Sequence, residues 1–170
     1  MDPLEKLAEP PRSRDILLGR LAAALALIGG VLVTLAALLV SASVLGRWLF
    51  SKPIQGDYEI VGILVGISIF AFLGYTQARN GHIAVDTFTL RLPDRVNSFI
   101  DGLWDLILAL FLGFFAWGLW TGGLQKRQYG ETLSQVQWEI WPVYIACAVL
   151  SALACLIALN VAFVKMRGSK

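Results

Sequence analysis

The sequence predicts an all-α integral membrane protein with four transmembrane helices. Of its 170 residues, 57% are hydrophobic, whereas a soluble domain averages about 45–50%, and the mean hydropathy is +0.69. These residues form four long blocks, each near or above the roughly 18–20 residues that a helix needs to cross a bilayer. The length leaves no room for a separate soluble domain, so we expect one membrane domain over residues 1–170.

The first predicted helix follows a polar tail, MDPLEKLAEPPRSRD. This tail carries four acids, and the apolar run after it exceeds the roughly 7–15 residues of a signal-peptide core, so we predict no cleavable signal. Helix 1 is predicted over about residues 17–46, beyond the two prolines. Ala22, Ala26 and Gly30 recur at four-residue steps, a small-residue face suited to a subunit contact in lipid.

Helices 2 and 3 are predicted over about residues 58–79 and 94–124, with a short interfacial segment before helix 3. Gly62 and Gly66 give helix 2 a second small face, which could also contact another subunit. Asp101 and Asp105 lie one turn apart near the start of helix 3. Two interpretations remain open: an acidic interfacial helix start, as the helix dipole favours, or a polar contact with a partner subunit, Arg79 or Arg91.

Helix 4 is predicted over about residues 139–165 and contains both cysteines, Cys147 and Cys155. They lie about 12 Å apart along the helix axis, too far for a disulfide. We therefore interpret them as small apolar residues.

Basic residues predict the orientation. The tail, the loop between helices 2 and 3, and the C-terminal end carry ten lysines and arginines, whereas the other two loops carry four. By the positive-inside rule, both termini and the loop between helices 2 and 3 are cytoplasmic.

Aromatic residues concentrate toward the predicted outer side. Tryptophan prefers the headgroup level, which favours an anchoring belt; the alternative is a surface on which another protein docks. The aromatic residues concerned are Trp48, Tyr58, Trp117, Trp120, Trp138 and Trp141, and Glu59 is a charged residue of the same surface.

Most chemical functions are excluded by composition. The chain has a single histidine, His82, so it lacks a histidine pair for haem and a full set of zinc ligands. Phosphate loops and hydrolase motifs are absent from the sequence. No predicted span carries a central charge, which argues against a proton path or ion site within this chain. We predict neither an enzyme nor a cofactor.

The corner after helix 2 carries a family motif. The run FLGYTQARNGHIAVDTF, followed by LRLPDRV, resembles the small membrane subunit (DctQ-like) of tripartite ATP-independent periplasmic (TRAP) transporters. The residues that match the family pattern are Arg79, Gly81, His82, Ile83, Val85 and Asp86. The segment GDYEIVG before helix 2 departs from it, because it lacks the family's tryptophan and its arginine after the acid.

The resemblance implies a transporter subunit of a bacterial or archaeal inner membrane. Such a subunit pairs with a large DctM-like membrane subunit, which carries the substrate and sodium sites, and works with a periplasmic DctP-like binding protein. It looks like a scaffold that also helps dock the binding protein for sodium-coupled uptake of a carboxylate. The implied partners are these two proteins and membrane lipids, and no nucleic acid. The alternative is a self-sufficient tetraspan protein, either a homo-oligomeric channel or a structural, lipid-associated protein.

The motif itself is interpreted as a structural latch. Arg79 suits the negative end of the helix 2 dipole, and Gly81 suits the left-handed turn that ends a helix. Asp86 is placed to cap the following segment, and His82 could donate a hydrogen bond to it. We therefore expect this corner to fix the cytoplasmic loop.

Overall fold

Four α-helices account for most of the described chain. A computed structural model describes residues 13–79 and 94–168, in which the helices are α1 (Ser13–Phe50), α2 (Asp57–Ala78), α3 (Asp94–Tyr129) and α4 (Trp141–Gly168). Each contains a segment long and apolar enough to cross a membrane. The prediction of an all-helical chain with four candidate spans is confirmed.

The helices extend past the apolar blocks that predicted them. α1 runs from Ser13 to Phe50, beyond the expected 17–46. α3 continues to Tyr129 instead of ending near 124, because the glutamine, lysine and arginine after its apolar block are good helix formers. α4 begins at Trp141, two residues later than expected, with Pro142 in its first turn, where proline is tolerated.

The helical array has two ends, which we name by the parts of the chain that they hold. We call the end that holds the α1–α2 and α3–α4 connections the loop end. The opposite end, where α1 and α3 begin and α2 and α4 finish, is the terminal end.

The helices contact each other as a row in the order α1, α2, α4, α3. Along α1 the buried residues recur every seven positions, at Ala22, Gly29, Ala36 and Ser43. A seven-residue repeat keeps one seam of a slightly supercoiled helix against its neighbour. A Cβ on Gly29 would come within 3.2 Å of the Phe72 ring, so α1 and α2 approach closely there.

The α3–α4 contact is the most extensive of the row, and it uses hydrogen bonds as well as small residues. The Ser151 hydroxyl donates to the Leu112 carbonyl at 2.9 Å, and a Cβ on Gly102 would meet Met166 at 2.7 Å. Because lipid provides no hydrophobic drive between helices, close packing and such hydrogen bonds stabilise the pair.

The α2–α4 contact joins two helical hairpins, α1–α2 and α3–α4, through small side chains. Gly74 of α2 faces Ala154 and Ile157 of α4 at 3.6–3.9 Å, measured from an ideal Cβ. Ala154 is fully buried. In residues 13–79 and 94–168, the polar bonds that join α2 to the α3–α4 pair occur at the two ends of the array.

Candidate functional site

The described residues contain no assembled metal or catalytic cluster. Among residues 13–79 and 94–168, no three His, Cys, Asp or Glu side chains come together in a way that could hold a metal ion. Both cysteines are free, and the Cys155 thiol donates to the Ala109 carbonyl at 3.1 Å. The features with functional potential are therefore polar clusters at the two ends and exposed helix faces.

The α3–α4 connection at the loop end is a compact hairpin. The Leu133 amide donates to the Trp138 carbonyl at 2.8 Å, and the Ile140 amide donates to the Glu131 carbonyl at 3.2 Å. Gln137 adopts a positive φ of 55° inside this turn. The hairpin thus presents a fixed backbone to the helix beside it.

Three residues join this hairpin to the start of α2, and we call them the loop-end clamp: Gly56, Glu59 and Gln135. The Gly56 amide donates to Gln135 Oε1 at 2.8 Å. The Glu59 carboxylate accepts the amides of Ser134, at 2.9 Å, and Gln135, at 3.1 Å. Backbone donors bonded to a carboxylate form charge-assisted hydrogen bonds, which are stronger than neutral ones.

Position 56 requires glycine because of its backbone conformation and because of the limited space around it. Its φ is +75°, and a Cβ built there would lie 2.2 Å from Val136 Cγ2. No L side chain fits without displacing the hairpin. The neighbouring Asp57 accepts a hydrogen bond from the buried Ser43 hydroxyl, so α1 is tied to the same corner.

The carboxylate of Glu59 is expected to order the hairpin. Glu59→Gln keeps one oxygen acceptor but removes the charge, so we expect amide exchange at Ser134 and Gln135 to accelerate about tenfold, equivalent to about 1.4 kcal/mol. Hydrogen–deuterium exchange measures this change. Glu139→Gln is the control: Glu139 is an exposed acid of the same hairpin whose bond goes to Trp141, and unchanged exchange in both variants would contradict the role of Glu59.

Several exposed aromatic side chains lie at or near the loop end. Trp48 is 80% exposed, Tyr58 87% and Trp138 60%. Trp141, the first residue of α4, has the Arg127 guanidinium 5.0 Å from its ring centre. Trp117 and Trp120 are also exposed and lie within the last four turns of α3. The five tryptophans that the sequence placed on one side therefore do lie toward one end.

A polar cluster lies at the terminal end, in which Gln77 and Asp105 are buried and Lys165 is half-buried. Gln77 Nε2 donates to Asp105 Oδ1 at 2.8 Å, and Lys165 Nζ lies 2.7 Å from Asp105 Oδ2. Asp105 is 8% exposed and Gln77 only 1%. The cluster connects α2, α3 and α4 around one carboxylate.

The helix-dipole explanation of Asp105 does not fit its position, whereas its contact with a partner subunit or with Arg91 stays a prediction. Asp105 lies three turns inside α3, which begins at Asp94, so the dipole at the helix start does not explain it. Arg79 lies over the Tyr75 ring at 5.5 Å, and Arg91 lies outside the described residues. Asp101, one turn before Asp105, is half-buried.

The cluster lies at the edge of the apolar core and not in its middle. Asp105 is about 30 Å along α3 from Gln125, and Gln77 is about 30 Å along α2 from Asp57. These distances equal the thickness of a hydrocarbon core of about 30 Å. The three side chains therefore occupy one level at the terminal end of the spans.

The small residues that were predicted to contact other subunits fall into two groups. Ala22 is fully buried in the seam with α2. By contrast, Gly30, Gly62 and Gly66 would each have open space around an added Cβ, and Ala26 is half-buried beside the seam. The second group remains available to a partner of this chain.

Most of the sequence motif lies outside the described residues. Gly81, His82, Ile83, Val85 and Asp86 belong to residues 80–93, so their predicted latch stays a prediction. Arg79 is described: it caps the end of α2, where its amide donates to the carbonyl of Tyr75.

The sequence did not predict the polar partners of Asp105 at the terminal end or of Glu59 at the loop end. Lys165 entered only the count of basic residues, and Gln77 was not singled out from the sequence. Their distance from the loop end, about 30–36 Å along their helices, is the signal that could have paired them with Asp105. The bonds of Glu59 to the hairpin involve backbone amides, which leave no pattern in a sequence.

The comparisons with known proteins agree with the motif. A family model described as "Tripartite ATP-independent periplasmic transporters, DctQ component" matches residues 36–168. Comparisons with curated proteins and with solved structures give no match. The matched segment runs from the middle of α1 to the end of α4, and its family consists of transporter components and is not an enzyme family. The chain therefore belongs to the DctQ family of TRAP transporter components, and it is a multi-pass membrane protein.

Proposed function

We propose that this chain is the non-transporting small subunit that holds a large DctM-like subunit in place. It also helps dock a DctP-like binding protein for sodium-coupled uptake of a carboxylate solute. In this proposal both termini are cytoplasmic, the membrane is the inner one, and the loop end faces outward. The observation that carries the scaffold role is an unoccupied small-residue face on α1 and α2.

The open face, as we call it, is formed by one flank of α1 and the adjoining side of α2. Because α1 and α2 run antiparallel, helix geometry places these positions on the same side of the pair. All are exposed or half-buried. The residues of the open face are Ala26, Gly30, Thr34, Ala37 and Ser41 of α1, with Val33, Val40 and Val44 on the same flank, and Gly62, Val65, Gly66 and Ile69 of α2.

The other flank of α1 has a different composition. It carries large aliphatic residues: Leu25, Ile28, Leu32, Leu35 and Leu39. Large side chains suit contact with lipid tails, whereas small ones allow the close approach of another helix. This difference between the two flanks supports a partner helix on the open face and lipid on the opposite side.

The hydroxyl groups on the open face do not oppose apolar packing. Thr34 donates to the Gly30 carbonyl at 2.8 Å, and Ser41 donates to the Ala37 carbonyl at 2.9 Å. Since these donors are satisfied within α1, a partner helix can cover them without leaving buried donors unpaired. We propose that this partner helix belongs to the large subunit.

Docking of a binding protein is proposed for the loop end. The exposed rings of Trp48, Tyr58 and Trp138 lie at or near the loop end, which holds a hairpin that the loop-end clamp orders. Aromatic residues on a rigid backbone are common anchors of protein interfaces. The solute and the coupling ion are proposed from family membership alone, and the large subunit would bind both.

Co-purification tests the proposal. The tagged chain is expressed with a DctM-like large subunit from the same organism, extracted in mild detergent, and separated by size exclusion. We expect one stoichiometric complex containing both chains. A chain that purifies only as its own oligomer, with the large protein absent, would support the tetraspan alternative and overturn the scaffold role.

A further inference from the structure

We propose that Asp105, Lys165 and Gln77 act as a fastener that fixes the height of the α1–α2 hairpin against the α3–α4 hairpin. This inference concerns the chain itself and does not depend on its partners. It assigns a structural role to the ionisable pair at the membrane edge and no role in carrying protons or ions.

Burial of Asp105 makes its charge depend on Lys165, whose own side chain is 29% exposed. A lone carboxylate at this level loses its hydration, so removal of the lysine leaves an uncompensated, buried charge. Lys165 Nζ lies 2.7 Å from one carboxylate oxygen of Asp105, and Gln77 donates to the other. One carboxylate oxygen therefore accepts a hydrogen bond from Gln77, and the other has the charge of Lys165 beside it.

The connectivity of the cluster gives it a mechanical role. α2 and α3 lie on opposite sides of α4 in the row, and the Gln77–Asp105 bond links them directly. The loop-end clamp makes the second link between the hairpins, about 30 Å away. Gly74, one turn from Gln77, meets Ala154 in a small, apolar contact, and the polar bonds that join the two helix pairs in the described residues occur at the two ends.

The local packing fixes the register of α3 against α4, so that Asp105 and Lys165 meet Gln77 of α2 as one unit. Gly102 lies one turn before Asp105, and a Cβ there would meet Met166 at 2.7 Å and the Ala162 carbonyl at 3.5 Å. α3 and α4 are therefore in backbone-level contact beside the ion pair. A slide of one residue would place a side chain in this contact and separate Asp105 from Lys165.

The test is a double-mutant cycle on thermal stability of the full chain, alone and in its native complex. Gln77→Leu removes the side chain that bonds α2 to Asp105 of α3, and Asp105→Asn and Lys165→Met each remove one charge of the ion pair. We expect each single variant to lower the midpoint by at least about 5 °C. The neutral double variant Asp105→Asn/Lys165→Met and the exchanged variant Asp105→Lys/Lys165→Asp are expected to recover at least half of that loss.

Lys126→Met is the matched control, because Lys126 pairs with Glu131 at the exposed loop end. Surface pairs contribute little, so we expect a shift below about 1 °C. Two results would overturn the fastener: single variants no less stable than this control, or a double variant that recovers no stability. Loss of solute uptake in a fully stable double variant would also overturn it, since the charges would then take part in transport.

Discussion

Leucine at Gly62 or Gly66 is expected to prevent the complex with the large subunit while leaving this chain folded. An added side chain at either position enters open space within the chain, and leucine also favours the helix more than glycine does. A partner helix packed on the open face would instead meet a bulky side chain at its closest approach. We expect the co-purified large subunit to fall at least tenfold.

Gly118→Leu is the matched control for this experiment. Gly118 is also exposed and surrounded by open space, but it lies on α3, at the other edge of the row. We expect normal recovery of the complex. The open face would be the wrong surface if the α2 variants assembled normally, and loss of the complex in Gly118→Leu alone would assign the contact to α3.

Alanine at Gly56 is expected to be the most damaging single change at the loop end. The positive φ costs an alanine about 1–2 kcal/mol, and its Cβ would lie 2.2 Å from Val136 Cγ2. Relief of that contact displaces the hairpin and breaks the bonds of the loop-end clamp. We expect a lower thermal midpoint, faster amide exchange at Ser134 and Gln135, and weaker binding of the periplasmic protein.

Two further variants separate the stability lost through the positive φ from the stability lost through the close contact with Val136. Gly130 also has a positive φ, of +62°, but has no atom near an added Cβ, so Gly130→Ala should carry only the conformational cost. Val136→Ala in the Gly56→Ala background removes the clashing methyl group and should restore part of the stability. Equal losses at Gly56 and Gly130, with no rescue, would show that the close contact has no role.

Helix number and the family follow from the sequence because their signals are local. Apolar blocks of membrane-spanning length predicted four helices, and the run from Arg79 to Asp86 predicted the family that the model match confirms. The ends of the helices were less accurate, since α3 continues through polar residues to Tyr129. Hydropathy indicates where the apolar residues end, whereas a helix ends where its backbone hydrogen bonding ends.

The contacts between helices could not be predicted, because they depend on which faces meet. The four-residue steps at Ala22, Ala26 and Gly30 suggested one face, but the seam with α2 follows a seven-residue repeat through Gly29 and Ala36. Which of these two faces of α1 packs against α2 depends on the shape of the α2 surface. Likewise Asp105 looked interfacial from the sequence, and only the arrangement of three helices brings Lys165 and Gln77 to it.

Solute uptake into proteoliposomes tests the central claim most directly. Vesicles would contain the large subunit alone, this chain alone, or both, each with the binding protein, a carboxylate solute and an inward sodium gradient. We predict uptake only when both membrane chains are present, and none with this chain alone. Equal uptake without this chain, or uptake by this chain alone, would contradict its role as a required, non-transporting subunit.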